Sequence, residues 1–113
     1  MTPEQRTIVL IPVPFSDFSS TKRRPVLVLS TTAHNLRSED VLVAAITSKL
    51  TRQRNSIRIT AADLEQGTLK RDSLVRADKI YTLSKSLLLK QFGKLSEAKF
   101  RRVLSALDKV LGR

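Results

Sequence analysis

Two apolar runs in this chain end in groups that can do chemistry. Arg24 opens the run Pro25-Val26-Leu27-Val28-Leu29-Ser30, and Thr47-Ser48 closes Val41-Leu42-Val43-Ala44-Ala45-Ile46. If the runs are strands paired antiparallel, the start of one lies beside the end of the other. A guanidinium and two hydroxyls then share one sheet edge, flanked by Lys22, Arg23 and Lys49. A planar guanidinium fork holds two phosphate oxygens at once, and hydroxyls can donate to the same oxygens. The constellation suits binding, and cleavage, of a phosphodiester. Taken one at a time, the residues keep duller readings: Arg24 can pair with Asp17 in the preceding loop, and a threonine is ordinary in a strand.

The charge of the chain points the same way. Against 10 Asp and Glu stand 21 Lys and Arg, a formal net charge of +11. A field of that size favours a polyanionic partner and speeds encounter with it. Residues 49–58 carry Lys49, Arg52, Arg54 and Arg58 with no acid among them, and Lys22-Arg23-Arg24 sit together. Aromatics are few (Phe15, Phe18, Tyr81, Phe92 and Phe100), so contact with the phosphate backbone is a better expectation than stacking of several bases.

Several classes of function are set aside. The chain has no cysteine, so neither a disulfide nor a thiolate metal site is available, and the single histidine, His34, cannot supply a histidine pair. No metal or cofactor is expected. No apolar stretch approaches the roughly 20 residues of a membrane span, and Met1-Thr2-Pro3-Glu4-Gln5-Arg6 does not read as a signal peptide. A soluble, cytoplasmic protein without membrane contact is expected. The 113 residues fit one domain, 1–113, with roughly 65% of the unfolded chain's surface available for burial.

The elements that must position the polar groups follow from pattern. Thr7 to Val13 is a β-branched, apolar strand leaving at Pro12-Val13-Pro14. Phe15 to Lys22 is a hydroxyl-rich loop. Pro25–Ser30 and Val41–Thr47 are near-continuous apolar runs, as in strands buried on both faces, with room for one helical turn between Thr31 and Asp40. Ser56-Ile57-Arg58-Ile59-Thr60 alternates with period two. Arg71–Arg76 and Ala77–Tyr81 are two short strands or one bent one. A helical turn is expected over Leu83–Leu88 and a short strand near Phe92–Leu95. The last segment is a helix: Ser96 is a good N-cap, Glu97 complements the first turn, and Gly112 suits the end. Phe100, Val103, Leu104, Leu107 and Leu111 fall on one face, for packing on the sheet. Five to seven short strands and a terminal helix make a mainly β fold, a small barrel or strongly bent antiparallel sheet.

Four stretches carry a resemblance that spans most of the chain. They are Ile8-Val9-Leu10-Ile11-Pro12-Val13-Pro14-Phe15-Ser16-Asp17, Arg23-Arg24-Pro25-Val26-Leu27-Val28-Leu29-Ser30, Val43-Ala44-Ala45-Ile46-Thr47-Ser48, and Arg71-Asp72-Ser73-Leu74-Val75-Arg76-Ala77-Asp78-Lys79-Ile80. In this order and spacing the chain resembles the MazF/PemK (Kid) family of toxins from type II toxin–antitoxin modules. The resemblance implies an SH3-like barrel with a C-terminal helix, working as a homodimer. It implies metal-independent, sequence-specific cleavage of single-stranded RNA, messenger RNA included, and inhibition by an acidic cognate antitoxin. The family's catalytic pair maps onto Arg24 and Thr47. The chain departs from the family at Arg6-Thr7, where many members have Gly-Asp, at Ser19, where some have Glu, and at Lys79, where Gln is common.

Cleavage of RNA without a metal uses the adjacent 2′-hydroxyl as nucleophile. It needs a proton acceptor, a stabiliser of the pentacoordinate phosphorane, and a donor to the leaving 5′-oxygen. Arg24 suits the second task, with Thr47 and Ser48 as further donors. Arginine is a poor base, and Asp17 is the nearby carboxylate in sequence. Asp17, Ser19, Lys22, Arg23, Ser48, Lys49, Arg52 and Arg54 are the candidate RNA contacts, while Asp72 and Ser73 are expected to cap a turn or pair with Arg71 or Arg76. Two rival readings stay open: a DNA gyrase poison of the CcdB type on the same barrel, and a nucleic-acid-binding barrel without catalysis. The absence of any tryptophan and the ending Lys109-Val110-Leu111-Gly112-Arg113 argue against the first.

Overall fold

A computed structural model describes residues 1–14, 21–51 and 54–113. Seven strands form one antiparallel, curled sheet: β1 (Thr7–Pro14), β2 (Thr21–Val28), β3 (Asp40–Thr47), β4 (Ser56–Ile59), β5 (Leu64–Gly67), β6 (Ser73–Ser84) and β7 (Lys90–Leu95). Their spatial order is β4-β6-β3-β2-β1-β7-β5. A short helix, α1 (Thr32–Arg37), joins β2 to β3, and α2 (Glu97–Leu111) closes the chain. The mainly β architecture with a C-terminal helix is the expected one.

The near-continuous apolar runs fill both faces of the central strands. Ile8, Leu27, Leu29, Ala44, Ile46, Val75 and Leu95 form one cluster with Phe100 and Val103 of α2. Val9, Ile11, Val26, Val28, Val41 and Val43 form a second on the opposite face, where Leu88 and Leu83 cover part of it. Side chains two apart share a face, so Val26 and Leu27, or Val43 and Ala44, serve different cores. This explains why these strands lack polar alternation.

Helix α2 begins and ends as its sequence requires. The Ser96 side chain accepts a hydrogen bond from the Lys99 backbone N–H, and Gly112 takes the left-handed conformation (φ 78°) at the end. Phe100 and Val103 are buried as expected, each worth about 1.5–3 kcal/mol if fully removed from water, and Ala106 joins them. Leu104 and Leu107 pack at the margin. Leu111 departs from expectation: it lies past the sheet and is 60% exposed.

Three boundaries also differ. β2 starts at Thr21, so Arg24 stands inside a strand, paired with Ile11 of β1, and does not open one. The segments around Arg76 are the one bent strand of the two expected alternatives, but it runs on to Ser84 as β6, with a shift in register: Ala45 faces Arg76 while Ala44 faces Ile80. Ala77, Asp78 and Lys79 form the bulge, and the Ala77 N–H bonds the Asn55 carbonyl at 3.0 Å. The expected turn over Leu83–Leu88 is shorter, a 3-10 turn at Lys85–Leu87, because Leu83 and Ser84 still pair with β3.

Candidate nucleic-acid cleft

Period-two alternation decides which polar groups meet. On β2, Arg24 shares a face with Val26 and Val28; on β3, Thr47 shares a face with Val41 and Val43. These valines belong to one cluster, so Arg24 and Thr47 project on the same side of the sheet. A cleft of about 570 Å³ opens there. Its floor includes Ile11, Val26 and Leu83, and its polar groups are Arg24, Thr47, Lys49, Thr51, Arg76, Lys79 and Tyr81. No carboxylate lines it among the described residues, which makes it a cationic, anion-accepting surface.

Each polar group is set by local structure. The Thr47 hydroxyl oxygen accepts a hydrogen bond from the Lys49 N–H at 3.2 Å. That bond turns the chain after β3 and leaves the hydroxyl proton to be donated elsewhere. Arg76 enters because Ala45 lies opposite it. Its Nε and Nη2 donate to the two carboxylate oxygens of Asp78, at 2.9 and 2.8 Å. The fork leaves three of the five guanidinium N–H groups for another acceptor. The hydrogen bond from Arg76 holds the Asp78 carboxyl below its ordinary range, and the same bond raises the Arg76 guanidinium above its own. Asp78 is therefore a weak proton acceptor, and its structural consequence is a fixed, charged Arg76.

Of the residues singled out in the sequence, the cleft brings together Arg24, Thr47 and Lys49. Arg23 alternates onto the other face of β2, Ser48 is exposed beyond the strand, and Arg54 stands at the far end of the β3–β4 connection; none of these lines the cleft. Lys22 lies on β2 two residues before Arg24, exposed and outside the cleft wall. Asp17, Ser19 and Arg52 lie outside the described residues. Asp72 pairs with Arg58 at 2.9 Å, not with Arg71 or Arg76, and Ser73 donates to the Arg71 carbonyl at 3.0 Å. The β4–β6 register explains the exchange, since it sets Arg58 opposite Leu74, next to Asp72. Arg76, Lys79, Tyr81 and Thr51 were missed as cleft groups. The signal available for the first was the Arg76-Ala77-Asp78 spacing, which puts opposite charges two apart on one strand. Among the described residues no three His, Cys, Asp or Glu side chains gather where they could hold a metal ion, and no helix is long and apolar enough to cross a membrane.

Fold and site together define a small, curled antiparallel barrel domain with an arginine-walled cleft at the end of β3. The chain belongs to the family of PemK-like, MazF-like toxins of type II toxin–antitoxin systems, whose sequence profile matches residues 4–111. It is 34% identical over 92 residues to an endoribonuclease MazF of Staphylococcus saprophyticus, covering 79% of this chain and 73% of that protein. An endoribonuclease MazF of Staphylococcus epidermidis is 36% identical over 92 residues with the same coverage. The fold matches MazF in a MazE-MazF structure from Deinococcus radiodurans, with a TM-score of 0.81 at 22% identity over 99% of this chain and 98% of that one. A mycobacterial endoribonuclease solved with its cognate antitoxin gives a TM-score of 0.80 at 22% identity, over 97% and 95% of the two chains.

Proposed function

We propose that this protein is the endoribonuclease toxin of a toxin–antitoxin module, a homodimer that cuts single-stranded RNA at a preferred sequence by attack of the 2′-hydroxyl, without a metal. The observation that carries the reading is the placement of Arg24 and Thr47 on one face of neighbouring strands, in a cleft walled by further cations. In the reaction the 2′-hydroxyl gives its proton to water as its oxygen attacks the adjacent phosphorus. The bond to the 5′-oxygen breaks, and that oxygen takes a proton from water, leaving a 2′,3′-cyclic phosphate and a free 5′-hydroxyl. Arg24 and the uncommitted N–H groups of Arg76 hold the phosphorane oxygens, and Thr47 donates a further bond. One such preorganised donor is worth about 10²–10³ in rate. Because Asp78 is committed to Arg76, electrostatic stabilisation and positioning carry most of the acceleration.

The same cationic cleft suits an acidic, partly disordered antitoxin segment that orders as it binds, and a cytoplasmic site of action follows from an RNA substrate. The decisive experiment incubates the purified protein with a long single-stranded RNA in EDTA. Discrete fragments with cyclic-phosphate ends are expected from the wild type and almost none from Arg24→Ala. Intact RNA from the wild type, or equal fragmentation by Arg24→Ala, would overturn the enzyme reading and leave a binding barrel.

A further inference from the structure

A second cleft, of about 390 Å³, lies between the start of β4 and helix α2. Asn55, Ser56 and Ile57 form one wall; Arg102, Ser105, Ala106 and Lys109 form the other. The four helix residues stand at i, i+3, i+4 and i+7, a single stripe that borders the Phe100, Val103 and Leu107 stripe on the sheet, with Ala106 buried at the boundary. Arg102 and Lys109 mark its two ends, roughly 10 Å apart along the helix axis. Neither has an acidic partner among the described residues: Glu97 takes Arg101 at 3.1 Å and Asp108 takes Arg113 at 4.0 Å. No Asp or Glu among the described residues lines the cleft. Two cations without an acidic partner among the described residues, facing the Asn55 amide, make a site for anionic oxygens.

This cleft lies on the helix-bearing face of the sheet and the first on the opposite face, and the two approach each other around the β4 edge. The β4–β6 register sets Ser56, in the second cleft, directly opposite Arg76, in the first. The β3–β4 connection links them again: Thr47, Lys49 and Thr51 on its first arm line the main cleft, and Asn55 and Ser56 on its second arm line the other. A strand of nucleic acid leaving the main cleft past β3 crosses β6 and β4, about 10 Å of sheet, and must turn over the β4 edge to meet this site.

We infer that the β4–α2 cleft is an exosite for the RNA backbone, holding phosphates of the segment that continues from the cleavage site; this rests on the endoribonuclease reading above. Among the described residues, Ile57 and Ala106 are its only apolar side chains and no aromatic lines it. It therefore offers no platform for stacking a base and no deep anchor pocket for an acidic peptide. Phosphate contact of this kind raises affinity for any sequence and reads none.

The test compares wild type with Arg102→Ala/Lys109→Ala, and with Ser105→Glu, which adds a carboxylate to the cleft without deleting a contact. Two RNAs are used, one just long enough for the main cleft and one several times longer, each also made with 2′-O-methyl groups so that binding is read without cleavage. Both variants should bind the longer RNA roughly tenfold more weakly, with KM raised in step, kcat unchanged and the preferred cut site unchanged. The double variant's salt dependence should become shallower by about 0.7 per lost contact, near 1.4 in all. The short RNA should not distinguish the three proteins. Equal affinity of all three for the longer RNA, an equal loss on the short RNA, or a variant that loses poly-glutamate binding while keeping RNA binding would each overturn the exosite. Because binding is measured on uncuttable RNA, a protein that cuts nothing refutes the enzyme reading and still reports on this cleft.

Discussion

Continued two residues past its last pair, Val26 opposite Ala45, the β2–β3 register sets Arg24 level with Thr47. Beyond that pair the ladder gives way to open cleft: both residues line it, and Arg24 remains anchored through β1, where it faces Ile11. The two side chains are thus held on neighbouring strands, in one cleft, just beyond the last residues that the two strands pair. A guanidinium fixed by one ladder and released from the other can face a ligand without the entropy of a loop.

The first prediction concerns that guanidinium. Arg24→Ala should lower the single-turnover cleavage rate by about 10²–10³, while the melting temperature stays near that of the wild type, because the side chain is exposed. Arg24→Lys should recover only part of the loss, since an ammonium supplies charge without the two-pronged fork. A lysine variant as fast as wild type would reduce the role of Arg24 to general electrostatic attraction.

Thr47 separates donor from shape. Thr47→Ser keeps the hydroxyl that accepts from the Lys49 N–H and should stay within about tenfold of wild type. Thr47→Val keeps the volume but removes the oxygen, and should cost about 10² in rate. If valine and serine variants cleave equally, the hydroxyl does not touch the reacting phosphate.

How much of this was legible in the sequence depends on which interaction fixes each residue. The apolar runs around Val26 and Val43 declared strands because burial on both faces leaves no polar position. Alternation then put Arg24 and Thr47 on one side. The start of β2 was hidden because Lys22-Arg23-Arg24 looks like a solvated loop, yet β1 supplies its backbone partners. β5 was hidden for a similar reason: Leu64-Glu65-Gln66-Gly67 is a polar edge strand with no alternation to read. Arg76 could not be placed, because its cleft position depends on a bulge whose register is a tertiary fact. Arg6 shows a different limit. It sits at φ 78°, where glycine is the easy choice, and keeps the position through bonds from its Nη1 to Glu65 and the Leu95 carbonyl. Neither partner is near it in sequence.

The pair Arg76–Asp78 predicts a pH signature. The Arg76 hydrogen bond lowers the folded-state pKa of Asp78 relative to the unfolded chain. A depressed carboxyl contributes stability that is fully present above its unfolded pKa, about 3.9, and is lost as pH falls through the folded value. Urea unfolding of wild type and Asp78→Asn should therefore differ by a constant margin near neutral pH. The margin should shrink in acid and vanish below the folded pKa. A margin independent of pH would mean that Asp78 acts through its shape and not its charge. The variant should also cleave more slowly at neutral pH, because Arg76 loses the carboxylate that fixes it.

The last prediction tests the sheet edge formed by β5 on β7. Gly67 ends β5 at φ 84°, and a Cβ there would meet the Phe92 carbonyl oxygen, a backbone atom of β7 that cannot swing aside. Gly112 has a similar φ of 78°, but a Cβ there meets nothing within 4 Å. Left-handed backbone alone costs a non-glycine residue about 1–2 kcal/mol, so Gly112→Ala isolates that cost. Gly67→Ala carries it together with displacement of β5 from β7, and its melting temperature should fall roughly 10 °C or more, against a few degrees for Gly112→Ala. Because β5 pairs only with β7, the damage should stay on that edge. Amide exchange should quicken in residues 64–67 and 90–95 before it does in β2 and β3, and cleavage by the folded fraction should remain close to wild type. Equal melting temperatures for the two alanine variants would show that β5 yields freely and that the fold does not depend on its pairing with β7.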